Sequence, residues 1–331
     1  MRYLPLALVA LALAPASAAR SDWTRLPSPP RAAPGAALVW TGTSLFYWGG
    51  TAESASRSVG ALYRPDERTW RRLPPAPMRG RSRAAAVWTG KEVLVWGGEG
   101  GLRDGALLDP ATRTWRRIGS SPTQRLEPMA YVWTGTQLIV CCPAAPRSPT
   151  GEGAAFRPST NRWRRIRTAP LALSRAHAAW TGREMIVVGK PKPETRWARA
   201  IAYDPAREHW RVLRTPPLSP NASSIVWTGR RLIGWDYELR AASYDPGRNR
   251  WRTLPSLPLD AVECNSQSAL IGARVFAAYC SQAATLDLRT NRWKIVVGVP
   301  RTLYGPPVAG DSAVYFAGFW AGTNAFWAYR A

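Results

Sequence analysis

A hairpin element that returns every 38 to 48 residues constrains this chain of 331 residues more than any other feature. Its centre is the tripeptide Trp-Thr-Gly, with one apolar run before it and another after it, which is typical of two strands joined by a tight turn. Five full copies and two degenerate copies are Trp40–Gly42, Trp88–Gly90, Trp133–Gly135, Trp180–Gly182, Trp227–Gly229, Leu270–Gly272 and Val308–Gly310. This period predicts the blades of a β-propeller and not helical repeats.

A second element follows each of the first six hairpins: an aromatic residue or Leu, six intervening residues, and a Trp. The pairs are Tyr63/Trp70, Leu108/Trp115, Phe156/Trp163, Tyr203/Trp210, Tyr244/Trp251 and Leu286/Trp293. The residues between the two members form a turn, as at Asp204-Pro205, because Pro cannot continue a strand ladder. Each unit therefore contains four short antiparallel strands, and with no helix to cover it each sheet is expected to stack on its neighbours.

An apolar run, a Gly-Gly doublet and then a Tyr six residues before a Trp resembles the Kelch repeat. Gly49-Gly50 and Gly97-Gly98 carry the doublet, and we place Cys141-Cys142, Gly189-Lys190 and Trp235-Asp236 at the same position. The resemblance extends over six linked copies. It implies an exported bacterial Kelch-like protein, with the fold type of the galactose oxidase central domain.

The two ends of the chain complete one blade. Gly305–Tyr329 supplies three strands and stops before the expected Trp, whereas Asp22–Pro27 resembles the outer strand at Thr69–Pro74. We therefore predict an all-β, single seven-bladed Kelch-like propeller whose last blade is closed by the N-terminal strand. The expected boundaries are 20–331 for the propeller, with blades at 36–74, 83–118, 128–166, 175–213, 222–254, 265–296, and 305–331 plus 22–27.

The first 19 residues resemble a signal peptide, with one positive charge, a short apolar run and Ala16-Ser17-Ala18 at the cleavage region. We expect a secreted, periplasmic or cell-surface protein that is a monomer and has no transmembrane segment in the mature chain.

The net charge of +24 comes from 45 basic and 21 acidic residues. The favoured interpretation is that Arg simply fills solvated positions, because the arginines are spread around the repeats, and those on the outer strands would block edge-to-edge association. The alternative is an anionic partner, and export then favours an extracytoplasmic protein or an anionic glycan over nucleic acid.

Four cysteines in an exported chain permit disulfides. Cys264 and Cys280 flank a predicted hairpin and are a candidate pair, whereas the adjacent Cys141 and Cys142 could form a disulfide or remain thiols. We predict no metal site and no cofactor.

Candidate ligand-binding residues follow from the repeat register at the face that carries the connections between blades. The predicted set is Arg83, Arg175, His177, Asn265, Gln267, Glu127, Glu263 and Tyr304. We also expect Arg81, Glu99, Asn221, Asp236, Tyr237 and Trp320 to reach the same mouth of the channel. Arginines there would suit a carboxylate, because a guanidinium can bind it through two hydrogen bonds.

Three functions remain open. The favoured one is an exported, non-catalytic, ligand- or protein-binding propeller, and no residue is predicted to be catalytic. The first alternative is a sugar-processing enzyme similar to sialic-acid mutarotases or epimerases, and the second is a structural envelope protein. The copper chemistry of galactose oxidase is disfavoured, because His177 and His209 are the chain's two histidines and are expected on opposite faces.

Overall fold

The computed structural model describes residues 22–30, 33, 35–50, 60–123, 130–142, 151–191, 195–260, 266–279, 281–301, 307–320 and 323–330. These residues form seven antiparallel four-stranded sheets, arranged as a seven-bladed β-propeller. No described segment is a helix long and apolar enough to cross a membrane. The predicted fold class is confirmed.

The strands are numbered in chain order, and each blade begins at the central channel. Blade 1 contains β2 (Ala37–Trp40), β3 (Leu45–Trp48), β4 (Gly60–Arg64) and β5 (Thr69–Arg72). Blade 2 contains β6 (Ala85–Trp88), β7 (Val93–Trp96), β8 (Gly105–Asp109) and β9 (Thr114–Ile118). Blade 3 contains β10 (Ala130–Trp133), β11 (Leu138–Cys141), β12 (Gly153–Arg157) and β13 (Arg162–Arg165). Blade 4 contains β14 (Leu173–Trp180), β15 (Met185–Pro191), β16 (Arg199–Asp204) and β17 (His209–Val212). Blade 5 contains β18 (Ala222–Trp227), β19 (Leu232–Asp236), β20 (Ala241–Asp245) and β21 (Arg250–Leu254). Blade 6 contains β22 (Ser266–Ile271), β23 (Arg274–Tyr279), β24 (Gln282–Asp287) and β25 (Arg292–Val296). Blade 7 contains β26 (Val308–Ala309), β27 (Val314–Trp320), β28 (Thr323–Tyr329) and, as its outermost strand, β1 (Trp23–Leu26).

The innermost strands of neighbouring blades contact one another around the full circle, including blade 7 with blade 1. We call the face that carries the turns after the first and third strands the turn face. The opposite face, with the connections between second and third strands and between blades, is the loop face.

The N-terminal strand closes the ring, as predicted. β1 pairs antiparallel with β28, with Trp23 opposite Tyr329 and Leu26 opposite Phe326. The outermost strand of blade 7 therefore comes from the opposite end of the chain to its other three strands.

The inner hairpins show why Thr and Gly recur. In the turn of blade 2, the Thr89 hydroxyl donates to the carbonyl of Glu92 (2.9 Å) and accepts from the Glu92 amide (2.9 Å). Gly90 has φ = +92°, a left-handed conformation that favours glycine. The other four Trp-Thr-Gly turns have the same Thr hydrogen bond and a positive φ at Gly.

The core consists of seven apolar clusters, each formed by side chains of two adjacent blades. The largest fully buried side chains among the described residues are the indoles of Trp48, Trp96 and Trp235. All six predicted pairs are directly opposite one another on the third and fourth strands, as in Tyr63–Trp70. The aromatic periodicity of the sequence is therefore the periodicity of the core.

A circle of seven hydrogen bonds links the outer strands. In each blade the Trp of the outermost strand donates its indole N–H to a backbone carbonyl just beyond the outermost strand of the preceding blade. The bonds are Trp70 to Pro27 (2.7 Å), Trp115 to Pro74 (3.1 Å), Trp163 to Gly119 (2.8 Å), Trp210 to Arg167 (2.7 Å), Trp251 to Arg214 (2.8 Å), Trp293 to Pro255 (2.9 Å) and Trp23 to Val297 (3.2 Å). We call this set the tryptophan circle.

The structure corrects the predicted place of the doublet in two blades. Strand register puts Cys141 opposite Ala130, and Trp48 lies opposite Ala37 in the same way. The equivalent of Gly49 is therefore Cys142. The same count from the hairpin Trp puts Asp236 at this position in blade 5. Cys142 and Asp236 each donate a backbone N–H to the carbonyl just before the third strand, as Gly97 does in blade 2.

The tryptophan circle predicts unequal roles for two tryptophans of blade 5. Trp251→Phe removes the hydrogen bond to the Arg214 carbonyl, whereas Trp227→Phe changes a half-buried indole whose N–H has no protein acceptor in the described part of the chain. We expect Trp251→Phe to lower the free energy of unfolding by about 1 kcal/mol more than Trp227→Phe does. Urea denaturation of the two variants measures this difference, and equal losses would contradict the role of the circle.

Closure by β1 predicts that a chain starting at Arg31 is less stable than one starting at Asp22. The shorter chain loses the buried side chains of Trp23 and Leu26 and two bonds of the circle. We expect a fall in melting temperature of about 10 °C or more, as measured by circular dichroism. An unchanged melting temperature would show that β1 does not hold the ring closed.

Candidate functional site

Two of the predicted ligand-binding arginines occupy equivalent places at the loop-face mouth of the channel. Arg83 precedes β6 in blade 2, and Arg175 lies at an irregularity near the start of β14 in blade 4. The equivalent residue of blade 1 is Gly35. All three have a positive φ: +71° at Gly35, +54° at Arg83 and +46° at Arg175. Both arginines lie five residues before the hairpin Trp of their blade, and their role as ligand-binding residues stays a prediction.

A left-handed backbone at a long side chain is unusual, and such residues are concentrated at functional sites. The Arg83 amide donates to the Gly35 carbonyl (2.8 Å), so this backbone is anchored to the preceding blade. Both guanidinium groups belong to exposed residues, and neither forms an ion pair within the described part of the chain. The innermost strand of blade 3 separates them.

The residues two positions further along the innermost strands lie between blades, facing the next blade. In blades 1 to 3 these residues are alanines buried in the cores between blades: Ala37, Ala85 and Ala130. In blade 5 the residue is Ser224, which shares a hydrogen bond of 2.7 Å with Ser268 of blade 6. These positions between blades are thus filled mostly by small residues, and the larger ones are exceptions.

His177 and Gln267 are these exceptions. His177 is opposite Val188, which belongs to the core between blades 4 and 5. Gln267 is opposite Ala278, which belongs to the core between blades 6 and 7. The Oε1 atom of Gln267 is buried without a hydrogen-bond partner in the described part of the structure. The two side chains thus lie in different gaps between blades and do not form one site with each other.

The other predicted residues lie outside the described part of the chain: Glu127, Glu263, Asn265, Tyr304, and the proposed disulfide partners Cys264 and Cys280. Among the described residues, no group of three His, Cys, Asp or Glu side chains is placed to hold a metal ion.

Arg81 does not reach the mouth, contrary to prediction. It is 6% exposed, and its guanidinium holds the Asp104 carboxylate through two hydrogen bonds of 2.7 and 3.0 Å. Hydrogen bonding to Arg81 lowers the pKa of Asp104, against the opposing effect of partial burial. Glu99 accepts a hydrogen bond from Ser82 on the same connection between blades. These polar groups stabilise the loops of blade 2.

Asp236 is also structural. It is fully buried, and its carboxylate accepts hydrogen bonds from the Ser219 amide (2.7 Å), the Glu238 amide (3.0 Å) and both the amide and Nε of Arg240 (3.0 Å each). The Tyr279 hydroxyl of blade 6 donates to its backbone carbonyl (2.9 Å). Asp236 therefore joins its own loop to the connection before blade 5 and to the end of β23.

Cys141 and Cys142 form a disulfide, which the sequence left open. Both residues are buried, and φ at Cys142 is +68°, like φ at the equivalent Gly97. The disulfide thus stands at the loop-face end of β11, where blades 1 and 2 have glycine.

The sequence analysis did not predict a cluster of one tryptophan and two arginines on the loop face between blades 4 and 5. The guanidinium carbons of Arg196 and Arg240 lie 5.4 and 5.3 Å from the centre of the Trp197 ring. Arg240 also contacts Glu238 (2.8 Å). Trp197 is outside the repeated Trp positions, and this departure from the period is the signal that could have identified it.

The two carboxylates bound by Arg240 allow a matched test of the structural role of Asp236. Asp236→Asn would place an amide donor against the donors of Ser219 and Arg240, and we expect it to lower the free energy of unfolding by about 3 kcal/mol. Glu238→Gln changes an exposed carboxylate, with an expected loss below about 1 kcal/mol. Chemical denaturation of both variants decides, and a small effect at Asp236 would contradict the structural assignment.

No family model matches the chain, and no curated protein sequence matches it. The fold and the geometry of the loop face are therefore the basis for any statement about function.

Proposed function

We propose that this protein is an exported, Kelch-type propeller that binds an anionic glycan, without catalysis, at the loop-face mouth of its channel. The observation that carries the proposal is the pair Arg83 and Arg175. Six in-phase repeats with a four-stranded blade support the Kelch assignment, and the N-terminal residue pattern supports export.

The two arginines differ from Arg81 and Arg240 of the loop face. Arg81 and Arg240 are held by Asp104 and Asp236, whereas Arg83 and Arg175 are exposed and lack an ion pair within the described part of the chain. A guanidinium without an internal partner can give two hydrogen bonds to an external carboxylate.

Their backbone conformation also favours a role in binding. In blade 1 the same position is filled by Gly35, the residue that adopts a positive φ at no steric cost. Arg83 and Arg175 adopt the same conformation at a steric cost, because each has a Cβ atom. Stability alone would therefore favour glycine at both places. Folding therefore does not require an arginine at either place.

Glycine substitutions test this proposal without harming the fold. A thermal-shift screen would use acidic mono- and oligosaccharides at low and high salt. A bound ligand at 100 times its dissociation constant adds about 2.7 kcal/mol of stability. We expect a salt-resistant shift from an acidic sugar that disappears in Arg175→Gly and Arg83→Gly, while the ligand-free variants are as stable as the parent or up to about 1 kcal/mol more stable.

The control is Arg72→Ala, which removes an exposed arginine of outer strand β5 that forms no ion pair with any described residue. It should leave the shift unchanged. Shifts from every polyanion that vanish in salt, or that are equal in all variants, would show binding by overall charge instead of a site. Absence of any sugar response would shift the proposal toward a protein partner, and conversion of the sugar detected by NMR would contradict the non-catalytic part.

A further inference from the structure

Five arginines gather around one turn of blade 6 on the turn face, opposite the proposed glycan site. Four of them are exposed and Arg231 is half-buried. We call this set the arginine cluster: Arg230, Arg231, Arg274, Arg289 and Arg292.

Arg231 joins the inner hairpin of blade 5 to the outer turn of blade 6. Its Nη2 donates to the Leu288 carbonyl (2.9 Å) and to Oδ1 of Asn291 (2.5 Å). Arg289 and Arg292 are the next residues after these two acceptors along the chain. The contact thus brings the hairpin arginines beside the arginines of the turn.

Arg274 and Arg292 flank the same turn from two strands. Both are opposite Asp287, Arg274 on β23 and Arg292 on β25. Residues paired in this way have Cβ atoms about 5 Å apart. The five arginines therefore belong to a single patch of the surface.

Acidic groups offset only part of this charge: Asp287 lies within the patch, and its pKa is lowered by the amides of Thr290 and Arg289 and by the positive charge of Arg289. In the described part of the chain, no carboxylate forms an ion pair with a member of the cluster. The Oδ1 atom of Asp287 accepts hydrogen bonds from the amides of Arg289 (2.8 Å) and Thr290 (3.0 Å). Asp22 and Arg274 both lie near Tyr329, but Asp22 forms no ion pair with the cluster. Burial and the like charge of Arg230 lower the pKa of Arg231.

Other blades show that this is a departure from the repeat. The position two residues after the hairpin Gly is Glu92 in blade 2 and Glu184 in blade 4. Each carboxylate holds an arginine of its own outer strand through two hydrogen bonds, Arg116 at 2.8 and 2.8 Å and Arg211 at 2.9 and 2.7 Å. In blades 5 and 6 this position is Arg231 and Arg274, so a positive charge stands where blades 2 and 4 have a negative one.

We propose that the arginine cluster is a binding site for a phosphate or sulfate group of an anionic ligand. Guanidinium groups bind the oxygens of tetrahedral oxyanions through paired hydrogen bonds, and several of them together favour a group with more than one negative charge. The group can be part of a small molecule or one unit of a polymer. This site is separate from the glycan site of the loop face and does not depend on it.

The test compares two variants of equal net charge. Arg230→Gln with Arg289→Gln removes two members of the cluster. Arg183→Gln with Arg207→Gln is the control, because Arg183 has the hairpin position of Arg230 in blade 4 and both control residues lie beside Asp204. Isothermal titration calorimetry would measure the binding of pyrophosphate and, separately, of linear polyphosphate at low salt.

We expect the cluster variant to bind at least about tenfold more weakly than the parent and the control to stay within about twofold. Saturable binding of one pyrophosphate indicates a small-molecule ligand, and binding of polyphosphate alone indicates a polymer. Equal weakening in both variants, or no saturable binding of either probe by the parent, would overturn the proposal. Arg274→Gln with Arg292→Gln gives a second cluster variant if the first is unstable.

Discussion

The tryptophan circle is the interaction on which the rest of the structure depends. Each bond joins the outermost strand of one blade to the blade before it, at the periphery of the propeller. The indole combines a large apolar surface for the core between blades with one N–H that needs an acceptor. Trp23 provides the bond between blades 7 and 6, and the Pro27 carbonyl accepts the bond from blade 1. The N-terminal strand therefore supplies both a donor and an acceptor, and without it two of the seven bonds would be lost.

The fold could be predicted from the sequence because its determinants are periodic. Hairpin Trp, turn Gly and outer Trp recur in phase, so the number of blades and the origin of the last strand follow from counting. The tryptophan circle itself could not be predicted, because its acceptors are backbone carbonyls. The acceptor residues are Pro, Gly, Arg and Val in different blades, so no residue type marks them.

The loop face was harder to predict, because burial there is decided by partners from other loops. Arg81 and Arg83 are two residues apart, yet one is buried against Asp104 and the other is exposed. Asp104 lies in a different connection of the blade, and nothing in the local sequence distinguishes the two arginines. Asp236 was hard to predict for a similar reason. Strand register, counted from the hairpin Trp, puts this buried carboxylate where blades 1 and 2 have the first glycine of the doublet, and its donors come from other parts of the chain.

A repeated fold supplies its own reference for deciding which charges have a structural role. The first arginine after the outer Trp forms an ion pair in four blades, at Arg71, Arg116, Arg164 and Arg211. These outer-strand arginines therefore have a partner within the protein, in addition to the protection that their charge gives against edge-to-edge association. Against that background, Arg83 and Arg175 stand where blade 1 has glycine, and Arg231 stands where blades 2 and 4 have glutamate, so the core does not require an arginine at these positions. Packing cannot select such residues, because their equivalents in other blades fold well with smaller or oppositely charged side chains. These arginines are the residues on which the two binding proposals rest.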